Sequence, residues 1–160
     1  MKITFLTLLL ALSSIPAKAQ KSEPPKPKPE IPTVSYCEMV KYPDSYAGKE
    51  VRFRALFTYV FEMSAFSHKD CKGDELMAWV KFDFDSIESS TKPDIHKKFR
   101  KMMMRDYREA WVIYNTEMLV TGVLDNSKAG YGHLGMYRFL VTVKSVEEME
   151  ETEKIDLENR

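Results

Sequence analysis

The stretch Glu50–Glu62, EVRFRALFTYVFE, has the clearest alternation of apolar and polar residues in the chain. Its apolar residues occupy every second position: Val51, Phe53, Ala55, Phe57, Tyr59 and Phe61. Successive side chains of a strand point to opposite faces, so this pattern predicts a long strand with one buried face. Its length and one-sided apolar face suit the first, curved strand of a small barrel.

The rest of the chain contains four more segments rich in β-forming residues. They are Leu76–Phe84, Ala110–Tyr114, Met118–Leu124 and Tyr137–Val146. Ala110–Tyr114 could instead be the end of the helix that precedes it, but its Trp, Val, Ile and Tyr residues favour a strand. A helix is predicted over Pro93–Arg108, where apolar residues recur at helical spacing, and Thr91 is its expected N-terminal cap. A short helix is expected over Tyr36–Val40, and a turn over Pro43–Lys49.

These elements predict a mainly β fold, namely a small five-stranded OB-like Greek-key barrel with one helix. An α+β roll or a sandwich stays open as an alternative, because the predicted helix follows the second predicted strand, earlier than in OB barrels. The domain is predicted to cover residues 34–149. The acidic tail, residues 150–160, is expected to be a frayed helix or disordered.

The N-terminus has the three parts of a signal peptide over residues 1–19. Lys2 precedes the apolar run Ile3–Leu12, and Ala17-Lys18-Ala19 gives the small-x-small pattern for cleavage before Gln20. Retention of this segment as an N-terminal anchor is the alternative, although the run is shorter than the about 20 residues of a spanning helix. The predicted location is therefore periplasmic or secreted, with no membrane span after cleavage.

Residues 20–33 form a predicted proline-rich linker, which holds five of the chain's 8 prolines. Proline favours an extended, solvated chain, so a spacer is expected here. The whole chain has 24 basic and 24 acidic residues. This balance gives no global attraction to nucleic acid or to anionic membranes.

Cys37 and Cys71 are the 2 cysteines of the chain, and both follow the predicted cleavage point. In an oxidising compartment such a pair predicts a disulfide. Closing a loop of this length stabilises a domain by roughly 3–4 kcal/mol in the chain-entropy model. A redox-active or metal-binding thiol pair is the alternative, and the absence of a C-x-x-C motif disfavours it.

A set of short motifs resembles small exported bacterial proteins that have OB-like barrels. One motif runs from Cys37 through Pro43, Tyr46 and Gly48-Lys49 to Val51 and Phe53-Arg54-Ala55, and the other is Gly130–Gly135 before the final strand. The resemblance implies a fold and a compartment, and it carries over no catalytic residue. It also supports pairing Cys37 with Cys71, since such proteins often have a second cysteine in the loop after the first strand.

Gly130–Gly135, GYGHLG, is the most distinctive local motif. Its glycines permit positive φ and a close approach of the backbone to a partner, so Gly132, His133 and Gly135 form one candidate binding site. His133 could act as an acid–base group or a metal ligand, and a tight connection fixed by His133 is the alternative.

The loop after the first predicted strand offers a possible metal site. His68, Asp70 and Glu62 lie near Cys71, and together with His133 they could bind a transition metal. The alternative is a solvent-exposed loop held by the disulfide.

Basic residues on one face of the predicted helix form a third candidate site: Lys97, Lys101, Arg105 and Arg108. OB barrels bind single strands with basic grooves and stacked aromatic residues, for which Trp79, Tyr59 and Trp111 are candidates. The chain's neutrality and predicted export make nucleic acid an unlikely partner, and a solvated helix face explains the same charges.

No hydrolase, zinc-protease or nucleotide-binding motif is present in the sequence. The sequence therefore favours a non-enzymatic binding module of the cell envelope or secreted space, with no cofactor and with an envelope protein or small ligand as partner. A metal-dependent phosphodiesterase or related hydrolase is the alternative enzymatic function, and a single-stranded nucleic-acid-binding protein is a further one.

Overall fold

A computed structural model describes residues 30–60, 63–71, 73–104, 112–128 and 130–156 of the chain. The predicted signal peptide and most of the predicted linker lie outside these residues. So do four side chains from the candidate sites: Glu62, Arg105, Arg108 and Trp111.

The described chain forms five strands and four α-helices. In chain order they are α1 Tyr36–Lys41, α2 Pro43–Tyr46, β1 Glu50–Val60, β2 Met63–Ser67, β3 Ala78–Phe82, α3 Phe84–Ser90, α4 Pro93–Met103, β4 Val112–Asp125 and β5 Phe139–Asp156. The short helix over Tyr36–Val40 was predicted, and it is confirmed as α1. The predicted turn after it contains α2, which begins at a proline, a residue that the first turn of a helix tolerates.

The five strands form one sheet that closes in a ring, in the order β1-β2-β3-β5-β4. All neighbours are antiparallel except β3 and β5, which are parallel. The predicted mainly β class with five strands is confirmed. The predicted set of strands was partly wrong, because β2 was missed and residues 112–114 of the separate strand expected at Ala110–Tyr114 belong to β4. Ala110 and Trp111 lie outside the described residues.

The interior of the ring is filled by the apolar face of β1. Val51, Phe53 and Phe57 are at most 1% exposed, as their alternation predicts. Phe57 meets Phe82 of β3 with ring centroids 5.3 Å apart. Phe99 of α4 then meets Phe82 at 4.9 Å, so the helix closes one end of this aromatic core.

Both α3 and α4 lie between β3 and β4. The prediction that the helix follows the second strand was wrong, because the missed strand β2 shifts the count by one. The predicted strand Leu76–Phe84 also ends early, at Phe82, because Asp83 caps α3 by accepting a hydrogen bond from the Ser86 amide at 3.2 Å.

The start of α4 differs from the prediction in its cap. Pro93 occupies the first turn as expected, but the N-cap is Lys92. The hydroxyl of Thr91 instead accepts a hydrogen bond from the Val146 amide at 3.1 Å. Thr91 therefore ties the helix pair to β5, where it satisfies a buried backbone donor.

The longest strand, β5, has 18 residues and continues to Asp156. The predicted helical or disordered tail is therefore wrong for residues 150–156, which pair with the first half of β4. Strand pairing overrides the low β-propensity of glutamate here. Three register shifts interrupt the β4–β5 pairing. Among the described strands, none pairs with the second edge of β5 beyond Val143.

The last predicted linker residues belong to the fold. The Arg52 amide donates to the Pro32 carbonyl at 2.9 Å, and the Val34 amide donates to the Arg52 carbonyl at 2.8 Å. Thr33 thus pairs in parallel with β1, and the ordered domain begins before the predicted boundary at residue 34.

Candidate functional site

The connection between β4 and β5, residues 126–138, folds back onto the sheet; we call it the β4–β5 loop. It contains the glycine-rich motif, and a single 3-10 turn covers His133–Gly135. Gly132 has a φ of 70° and Gly135 a φ of 67°. The expected positive φ angles are therefore confirmed at these two glycines, where a side chain would be strained.

Two tyrosines anchor the base of the β4–β5 loop. The Tyr131 amide donates to the Tyr137 carbonyl at 2.8 Å, and the Tyr137 amide returns a bond to the Tyr131 carbonyl at 3.2 Å. Both side chains are 7% exposed. Burial raises the pKa of the Tyr137 hydroxyl, and the negative charge of Asp74 adds to the effect. The loop base is therefore a closed, packed pair rather than an open hinge.

The β4–β5 loop lies against the outer face of β3 at Trp79. A Cβ atom on Gly132 would lie 2.4 Å from Cε3 of the Trp79 ring, so only glycine allows this approach. Tyr137 contacts the same ring with centroids 5.3 Å apart. Ala65 of β2 and Leu140 of β5 belong to the same apolar cluster. The loop is thus fixed on a second, smaller core outside the ring.

Two apolar side chains stand out at the tip of this loop. Leu134 is 84% exposed and Met136 is 72% exposed. Leu134 has a φ of 55° and a ψ of 16°, the left-handed conformation that costs an ordinary residue about 1–2 kcal/mol. Strained residues of this kind are concentrated at binding sites. We call this pair the Leu134–Met136 tip. Sequence analysis missed it, although two apolar residues within a glycine-rich loop were a usable signal.

His133 lies beside the tip and is exposed. Among the described residues it belongs to no group of three metal-ligand side chains whose atoms lie within 4.8 Å of one another. The hypothesis that His133 joins His68 in a metal site therefore finds no support in the geometry.

The predicted Cys37–Cys71 disulfide is confirmed, with the two Cα atoms 5.5 Å apart. It joins α1 to the segment that follows β2. Beside it, the Tyr36 hydroxyl has two carbonyl oxygens within hydrogen-bond distance, that of Phe66 at 2.8 Å and that of Leu76 at 2.9 Å. Burial raises the pKa of Tyr36, because its phenolate would be desolvated. We call this region the disulfide corner.

His68 lies on the disulfide. Its Nδ1 atom is 3.6 Å from the Cys37 sulfur, and it accepts a hydrogen bond from the Asp70 amide at 3.2 Å. An Asp70 carboxylate oxygen is 3.6 Å from the same nitrogen. The sequence placed His68 and Asp70 near Cys71; in the structure the ligand atoms of Cys37, His68 and Cys71 lie within 4.8 Å of one another.

The predicted basic face is present where the chain is described. Lys97 and Lys101 are exposed on α4. Trp79, a proposed stacking residue, has its ring covered by Gly132 and Tyr137. Tyr59 is partly buried and packs against the core. Both rings already pack against other residues of the protein, so the geometry does not favour single-strand binding at these two positions.

An open groove of about 720 Å³ lies between α3, the start of β1 and β5. One ion pair, Arg52–Glu147, lies within its lining, and Lys144 and Glu148 pair with residues outside the lining. Glu147 accepts from Arg52 at 2.8 Å and from the Thr121 hydroxyl at 2.9 Å. Lys144 pairs with Asp83, whose pKa falls from 3.8 to about 2 because of this contact and the Ser86 amide. The groove is polar, and Glu50 and Lys92 also line it.

Comparison with known proteins finds no family model, no curated protein and no solved structure that matches this chain. Of the helices in the described part of the chain, none has the length and apolar content needed to cross a bilayer.

Proposed function

We propose that this chain is an exported, non-enzymatic binding module of the cell envelope or secreted space, and that it binds a protein partner through the Leu134–Met136 tip. Its barrel is assigned to the OB type. The strand order around the ring and the position of α3 and α4 between β3 and β4 support that assignment. The resemblance to small exported bacterial proteins is part of the same proposal.

The exposure of the tip on an anchored loop is the observation that carries this function. The backbone beneath these two side chains is already fixed at Gly132 and at the Tyr131–Tyr137 pair, so binding orders little additional backbone. Burying each of them releases about 1.5–3 kcal/mol of hydrophobic free energy. A protein surface with an apolar pocket fits this convex tip better than a nucleic acid does, because the tip carries no cation for phosphate.

Export is supported by the disulfide corner together with the signal-peptide pattern. A disulfide persists in oxidising compartments and is rare in the cytosol. Cleavage before Gln20 predicts that the mature protein isolated from its own cells begins there. Intact-mass measurement tests this point, and a chain that retains residues 1–19 would be an anchored form.

A photo-crosslinking residue placed at Leu134 tests the binding surface in living cells. A matched control carries the same residue at Tyr42, which is 64% exposed but lies between α1 and α2. We expect a protein partner to crosslink from position 134 and not from position 42. Equal crosslinking from both sites, or a crosslink only to a second copy of the chain, contradicts the proposal.

The purified partner then allows an affinity measurement. The double variant Leu134→Ser, Met136→Ser should bind on the order of a hundredfold more weakly, because two buried apolar contacts are lost. Tyr42→Ser should bind like the natural protein. If the double variant binds with unchanged affinity, the Leu134–Met136 tip is not part of the interface.

A further inference from the structure

We propose that the disulfide corner becomes a zinc site when the disulfide is reduced, with Cys37, Cys71 and His68 as ligands and Asp70 in the fourth position. This inference is independent of the Leu134–Met136 tip. It concerns a different part of the molecule and a different ligand.

The separation of ligand atoms carries the inference. The ligand atoms of Cys37, His68 and Cys71 all lie within 4.8 Å of one another. A tetrahedral zinc with ordinary Zn–S and Zn–N bonds places sulfur and nitrogen about 3.6 Å apart. The Cys37 sulfur and His68 Nδ1 are already 3.6 Å apart. The two sulfurs must separate to about 3.8 Å, which rotation about the Cα–Cβ bonds allows. The Asp70 amide must also give up its 3.2 Å hydrogen bond to His68 Nδ1, whose lone pair would bind the ion.

Asp70 is the candidate for the fourth ligand, although it lies outside the group of three whose ligand atoms are within 4.8 Å of one another. Its carboxylate oxygen is 3.6 Å from His68 Nδ1, close to the nitrogen–oxygen separation expected between two ligands of one zinc ion. The carboxylate side chain is 69% exposed, so it can turn toward a bound ion. Two thiolates, one imidazole and one carboxylate suit zinc, whereas an oxygen ligand disfavours monovalent copper.

The corner is reachable from solvent on one side. Cys71 is 6% exposed, but Cys37 is half-buried and the His68 side chain is 24% exposed. A thiolate can therefore attack the sulfur of Cys37, and the buried Cys71 leaves as the first free thiol.

Reduction requires a dithiol, either a small molecule or a dithiol protein. The dithiol is oxidised to its own disulfide, and its two electrons and two protons convert the Cys37–Cys71 bond into two thiols. When zinc binds, each thiol releases its proton to solvent. The two thiolates then neutralise the charge of the ion, and His68 binds as the neutral imidazole. Oxidation of the thiols breaks the site and releases zinc.

The experiment compares zinc binding by the oxidised and the reduced full chain. The protein is reduced with a dithiol, freed of reductant under anaerobic conditions and titrated with zinc against a chromophoric chelator. We expect one zinc per reduced chain and none per oxidised chain. Zinc bound equally by both forms, or absent from the reduced form, would overturn the inference.

Variants of the three histidines separate this site from unspecific binding by two free thiols. His68→Ala should weaken zinc binding by the reduced chain at least about tenfold, whereas His96→Ala and His133→Ala should leave it unchanged. If reduction unfolds the domain, any pair of thiols with any histidine can serve, and the three variants would bind alike. That result also contradicts the proposed site. Asp70→Asn should weaken binding by a smaller factor than His68→Ala.

Discussion

The disulfide corner and the β4–β5 loop both fasten a connecting segment to the barrel, but they do so by different physics. The corner uses the Cys37–Cys71 bond, which stabilises chiefly by restricting the unfolded chain. The loop uses non-covalent contacts, namely the Tyr131–Tyr137 backbone hydrogen bonds and the backbone of Gly132 against the Trp79 ring. The corner therefore depends on redox conditions, whereas the loop depends on close packing at Gly132.

Removing the crosslink is expected to have the largest effect. Replacing both cysteines, Cys37→Ala with Cys71→Ala, should lower the free energy of unfolding by about 3–4 kcal/mol. Urea denaturation of the oxidised protein and the variant measures this difference. In this variant the Tyr131 amide, at the base of the β4–β5 loop, should still exchange its hydrogen only when the whole domain unfolds. If the free energy of unfolding falls by less than about 1 kcal/mol, contacts other than the disulfide hold the corner, and the two regions are not held by different physics.

A methyl group added at Gly132 is expected to have the next largest effect. Gly132→Ala should cost about 2–4 kcal/mol, because the new Cβ meets the Trp79 ring and the positive φ is strained. Gly135→Ala is the matched control. Its φ is also positive, but a Cβ there would lie 3.9 Å from the nearest atom, the Cα of Gly130, so only the backbone cost of about 1–2 kcal/mol applies. Equal thermal destabilisation of the two variants would show that ring contact does not fix the loop.

Acid should act little on the Cys37–Cys71 bond and on the Gly132–Trp79 contact, because neither involves a charged group, and should act instead on Asp83. The pKa of Asp83 is lowered to about 2, first by Lys144 and then by the Ser86 amide. A lowered carboxyl pKa stabilises the fold above its unfolded value of 3.8, and that stabilisation disappears as the pH falls toward 2. Asp83→Asn should therefore lower the Tm at pH 7, by less than the glycine variant does, and the difference should shrink below pH 4. A difference that grows in acid would contradict this assignment.

The smallest expected effect is a gain in stability instead of a loss. Leu134→Gly removes a left-handed leucine that is 84% exposed, so little burial is lost and backbone strain of about 1–2 kcal/mol is relieved. The greater freedom of glycine in the unfolded chain offsets about 0.5–1 kcal/mol of that gain. We expect unchanged or slightly higher stability together with weaker partner binding. A clear loss of stability would mean that Leu134 supports the loop rather than a partner.

Hydrophobic periodicity predicted the elements whose buried residues repeat at regular spacing within one continuous segment. The alternation of β1 placed Phe53 and Phe57 in the core, and helical spacing did the same for Phe99. Strand β2, MSAFS, was missed because five residues are too few for a clear period. The strand at the end of β5 was missed because its glutamates are ordered by pairing with β4, which no local pattern records.

Within the candidate sites, too, the sequence predicted local features but not the contacts between distant residues. The cysteine count predicted the crosslink, and the glycines predicted the positive φ at Gly132 and Gly135. Neither pattern contains the contact of Gly132 with Trp79, because the two residues lie far apart in the chain and meet only in the closed sheet. The position of His68 against the Cys37 sulfur is likewise a product of the fold.

The second edge of β5 has a consequence for the behaviour of the protein in concentrated solution. An unpaired strand edge is a template on which another chain can polymerise. Here that edge carries five closely spaced acidic residues: Glu147, Glu148, Glu150, Glu151 and Glu153. A second copy added along it would bring glutamate against glutamate, and the bulges would spoil its register. We therefore expect the longest strand of the molecule to resist fibre formation.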